Sequence, residues 1–123
     1  MTDKNEPTVG ERLKALSRKK SDEALEMVDE WHKTCLWHME NAASIRKNSE
    51  RVEVHSVEER QCSSEAFVDE FTAAADALEA RLEADGSVNA TYTFLTTKDE
   101  TMESGGESRH FPAAHKLIFH IRW

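Results

Sequence analysis

Residues 30–40, Glu-Trp-His-Lys-Thr-Cys-Leu-Trp-His-Met-Glu, hold two histidines, two tryptophans and one of the chain's two cysteines. Imidazole and thiolate are ligands that zinc favours, and an imidazole beside a thiol lowers the thiol pKa. His32, Cys35 and His38 are therefore candidate metal ligands, or a candidate nucleophile with its bases. Helical geometry limits both ideas. About 100° per residue puts His38 some 120° around the axis from His32, so Cys35 can share a metal with only one of them. The remaining ligands would have to come from Cys62, His110 or His115, far along the chain.

Asp29-x-x-His32 has the form of half a carboxylate-bridged metal motif, and no second half is present. Nothing matches a nucleophile elbow, a zinc-protease helix or a phosphate loop, and Gly105-Gly106 lacks the lysine and helix start that a phosphate cradle needs. The expectation is a protein with no catalytic residue, no bound metal and no cofactor. The competing reading is a small metal- or cysteine-dependent enzyme or sensor built on His32, Cys35 and His38.

The helical wheel separates the cluster. With Leu25 at zero, Leu25, Val28, His32, Cys35, Leu36, Met39 and Ala43 fall in one arc of about 100°, with Trp31 and Ala42 at its edge. That arc is the expected core face. Trp37 lies among Glu26, Glu30 and Lys33 on the charged side, and Met27, His38 and Ile45 share a flank. Tryptophan at a charged surface is the residue type most enriched at binding hot spots. Trp37, Met27, His38 and Ile45 are accordingly expected at a dimer or partner interface. A second surface is the stripe Glu65, Asp69, Asp76, Glu79 and Glu83, with only Arg81 nearby, which suits a basic partner.

The elements that must position these residues follow from pattern and punctuation. Thr8-x-x-Glu11 has capping-box spacing and predicts a short helix over about 9–19. Ser21 followed by two acids predicts the start of a helix over about 21–47, either continuous with the first or kinked near Ser21. Phe67, Phe71, Ala74, Ala75, Leu78 and Leu82 form one stripe and predict a helix over about 64–85, capped by Ser63 and ended by Gly86. Alternation predicts strands at 88–96 and 114–122 and a weaker one at 51–57. Segment 97–112 reads as a mobile loop. The fold class is α+β, two main helices on one face of a small antiparallel sheet. It divides into a basic arm, 1–20, and one domain, 21–123.

Charge and composition bound the function. Of 123 residues 33% are charged, and the formal net charge is −8. Residues 1–20 carry six basic residues against three acids, +3, leaving ten basic and 21 acidic, or −11, for the rest. An acidic body argues against direct nucleic-acid or anionic-membrane binding. Two cysteines form no disulfide framework, and neither a leader nor a spanning segment is apparent, so a cytoplasmic protein is expected. The sequence thus points to a non-enzymatic protein-binding module, homodimeric because a small core rewards further burial, whose acidic surface favours a basic partner. An inhibitor of a nucleic-acid-binding enzyme is one concrete form of that role.

Overall fold

The computed structural model describes residues 8–123. Helix α1 spans Val9–Glu26 and begins with the capping box: Glu11 N–H donates to Thr8 Oγ1 at 3.2 Å, and Thr8 N–H donates to Glu11 Oε2 at 3.3 Å. The chain runs through Ser21 without a break and bends at Met27, whose N–H donates back to Ala24 O at 3.0 Å. Helix α2, Val28–Ser44, follows directly. The two helical pieces are thus continuous through Ser21, and the kink expected there lies at Met27 instead. A serine inside a continuous ladder has no orphan N–H groups to cap, so its start signal goes unused. Helix α2 ends in a Schellman turn, with Arg46 N–H donating to Ala43 O and Lys47 N–H to Ala42 O, both at 3.0 Å.

Strand β1, Ser49–Glu58, and a short turn of 3-10 helix lead to α3, Ser64–Leu82, whose N-cap Ser63 accepts from Ala66 N–H. Strand β2, Asn89–Thr97, comes next, then β3, Glu100–Ser104, β4, Glu107–Phe111, and β5, Ala114–Arg122. β5 is the centre of a three-stranded antiparallel sheet ordered β1-β5-β2. Its alternate residues His115, Leu117, Phe119 and Ile121 are buried on the helix side. Val52 and Tyr92 flank Phe119, and Ala90 flanks Ile121. α2 lies over the β1 side and α3 over the β2 side, giving the predicted helices on one face of a small sheet.

Segment 97–112 is not a loop throughout. β3 and β4 form a second hairpin whose two central residues, Gly105 and Gly106, have φ of 58° and 84°. A two-residue turn with both φ positive matches strand twist and favours glycine at each place. The core face of the first two helices is also rotated from expectation. Ala24, Val28, Trp31, Cys35 and Ala42 are buried, whereas Leu25 and Leu36 are 41% and 40% exposed. Trp31 is drawn inward because it has ring partners, His55 at 5.7 Å and Phe71 at 6.0 Å, and a large aromatic buries more area than a leucine. Among the described residues no helix is long and apolar enough to cross a membrane.

Candidate partner-binding surface

Because α3 turns Phe67, Phe71, Ala74, Ala75, Leu78 and Leu82 onto the sheet, Glu65, Asp69, Asp76, Glu79 and the capping Glu83 fall on one flank, with Glu70 on the other, beside His55. The first flank is the β2 side. Asp76 Oδ1 accepts from the Tyr92 hydroxyl at 2.6 Å, and Glu83 Oε1 accepts from Ala90 N–H at 2.9 Å. The Asp76 bond, aided by burial, pushes the Tyr92 phenol up to about 12. Glu79 stands between the two, and partial burial together with the charges of Glu83 and Asp76 raises its carboxyl pKa. Glu65 and Asp69 continue the ridge and are exposed. Arg81 points elsewhere, to an ion pair with Asp29 of α2 that lowers the Asp29 carboxyl.

Beneath this ridge lies a sheet edge. In an antiparallel ladder, residues alternately direct both backbone groups to one neighbour and then away from it. The Ala90 N–H points outward to Glu83, so the same groups of Tyr92, Phe94 and Thr96 also point away from β5. β2 carries no charged residue, no proline and no register shift. The opposite edge, β1, contains Glu50, Arg51, Glu53 and Glu58 and a bulge between Glu53 and His55. Charges and bulges blunt an edge against pairing, and only β1 has them.

The other expected contact residues do not gather into one patch. Trp37 is 62% exposed on the outer side of α2, with its ring edge-on to His38 at 4.9 Å. Met27 and Ile45 are exposed at the two ends of α2, and 18 residues at 1.5 Å per residue put them about 27 Å apart. Trp37, Met27 and Ile45 thus form no common patch on α2. Sequence reasoning found the acids, but not the strand edge under them; the uncharged run Asn89–Thr97 in so charged a chain was the available signal.

The metal and nucleophile readings do not assemble. Among the described residues, no three or more histidine, cysteine or acidic side chains stand together as ligands. Cys35 is fully buried, which pushes its thiol up to about 12, so it holds its proton at neutral pH. Both ring nitrogens of buried His115 are committed, Nδ1 with Thr96 Oγ1 at 2.9 Å and Nε2 with Cys62 O at 3.0 Å. Cys62 and His110 sit on other segments, just before α3 and on β4. An open cleft of about 710 Å³ lies where Glu58, Glu59 and Arg60 meet Asp99, His110, Pro112 and Ala113; it is wide to solvent, not the enclosed apolar pocket usual for small ligands. No family model, curated protein or solved structure matches the chain.

Proposed function

We propose that the chain is a non-enzymatic protein-binding module, acting as a homodimer, that takes an extended basic segment of another protein along α3 and β2. The reading is carried by one observation: the uncharged edge of β2, capped by Glu83 at Ala90 and continuing through Tyr92, Phe94 and Thr96, lies below Asp76, Glu79 and Glu83. Strand addition gains main-chain hydrogen bonds from the edge, and alternate side chains of the added strand reach one side. Lysine or arginine at those alternate places would meet the ridge, whose clustered like charges favour a cation. An added acidic strand would be repelled.

A short alternating Lys-Val peptide tests this by titration calorimetry. Glu65, Asp69 and Glu79 make no hydrogen bond or ion pair within the described residues, so Glu65→Gln with Asp69→Asn and Glu79→Gln removes charge without disturbing the fold. At about 0.5 kcal/mol per exposed pair, the triple variant should weaken binding about tenfold. The same peptide methylated on alternate backbone nitrogens keeps its charge and cannot join a strand. Equal binding of both peptides, or indifference to the triple variant, would refute the reading.

A further inference from the structure

Every residue from Thr8 to Lys20 is exposed, although Val9–Lys20 is three turns of helix. Val9, Leu13 and Leu16 are 72%, 62% and 54% exposed. On a wheel they fall within about 60°, and Lys20, Glu23 and Met27 continue the same stripe. The body-facing side of α1 adjoins this stripe: Ala24, about 20° around the axis from Leu13, is buried, Ser21 is half-buried, and α3 packs against α1 there. An isolated helix of fewer than about 12–15 residues is marginal in water, so this half of α1 lacks the packing that normally sustains a helix.

Charge identifies what covers it. Residues 12–20 contain Arg12, Lys14, Arg18, Lys19 and Lys20 and no acid, while 21–30 contain Asp22, Glu23, Glu26, Asp29 and Glu30 and no base. The stripe's two ends are thus opposite in sign, which is self-complementary in antiparallel pairing and repulsive in parallel pairing.

We infer that α1 is the dimer contact, two copies pairing antiparallel so that the basic half of one lies along the acidic half of the other. This rests on the homodimer part of the function proposed above and is independent of the ridge. The register that aligns the stripes sets Leu16 against the partner's Met27 and Lys20 against the partner's Glu23, each twice by symmetry. Leu13 then lies over the partner's elbow at Met27–Glu30, and Lys19 flanks the partner's Glu26. An antiparallel two-fold closes on itself and leaves no surface for a third copy.

Sedimentation velocity on the full chain across a hundredfold concentration range tests it, with far-UV circular dichroism alongside. The expected result is a monomer–dimer equilibrium with helix content rising as the dimer forms. Leu13→Ser with Leu16→Ser, at exposed places that leave the core untouched, should give a monomer at all concentrations. Lys20→Glu should also dissociate the pair, and Lys20→Glu combined with Glu23→Lys should restore it. A wild-type chain that stays monomeric, a dimer that survives the leucine variant, or a charge swap that fails to rescue overturns the inference. Titrating the monomeric variant with the Lys-Val peptide separates this failure from that of the ridge, because peptide binding does not depend on α1.

Discussion

At the scale of single residues, burial separates side chains that resemble one another in sequence. Trp31 and Trp37 are six apart on one helix, yet the first packs on Phe71 and the second is 62% exposed. Trp37→Ala should therefore change the unfolding free energy from urea titration by no more than about 0.5 kcal/mol, and a loss several times larger would show the ring to be held by the fold. His55 makes the opposite case. It packs against Phe67 and Phe71, and burial lowers its pKa against the opposing charge of Glu70. As pH falls below about 6.5, the unfolded chain takes up this proton before the folded one does. Stability contributed by His55 is thus unaffected above that pH and declines below it. Urea midpoints at pH 7 and pH 5.5 should fall further apart in the wild type than in His55→Phe, since the other histidines are common to both. Equal spacing would show that the ring titrates freely.

Among the elements, those whose burial is one-sided were legible. α3 and β5 turn six and four apolar or aromatic side chains onto one another's layer, and their periods stand out against a charged chain. The β3–β4 hairpin did not, because all ten of its strand residues are exposed and alternation then carries no record of inside and outside. The bend at Met27 was hidden for another reason: methionine is a good helix former, and the bend comes from docking Trp31 and Ala24. The ridge acids were legible as a stripe, but their bonds to Tyr92 and Ala90 join residues that only tertiary packing brings together. Two turns give sharp tests. Arg46 closes the α2 Schellman turn at φ 66°, a conformation that strains any residue with a Cβ, so Arg46→Gly should stabilise by about 0.5–1 kcal/mol in urea unfolding. Gly106, at φ 84°, gives the mirror result: Gly106→Val should cost about 1–2 kcal/mol locally. An isolated two-stranded hairpin is marginal, so cross-strand contacts between Thr101 and His110 should disappear from the nuclear Overhauser spectrum. The global midpoint should hold, because β3 and β4 supply nothing to the core.

For the whole molecule, one uneven charge distribution bears on both folding and association, and salt should act on the two in opposite directions. Within a copy, the −11 of residues 21–123 repels itself, most strongly where Asp76, Glu79 and Glu83 crowd together. Screening shortens from about 30 Å at 0.01 M to about 8 Å at 0.15 M, so added salt relieves this repulsion and stabilises the folded chain. Between copies, the proposed pairing of residues 12–20 with the acids of 21–30 would be attractive, and the same screening would weaken it. The monomeric Leu13→Ser, Leu16→Ser chain should accordingly unfold at higher urea in 0.15 M than in 0.01 M sodium chloride. The gain should be about 1 kcal/mol, and smaller once Glu65, Asp69 and Glu79 are neutralised. Over the same range the wild-type dimer should dissociate more readily in sedimentation. Salt that strengthened the dimer would mean that apolar contact, or repulsion between the two acidic bodies, outweighs the α1 charge pairing, and the antiparallel register would lose its electrostatic basis.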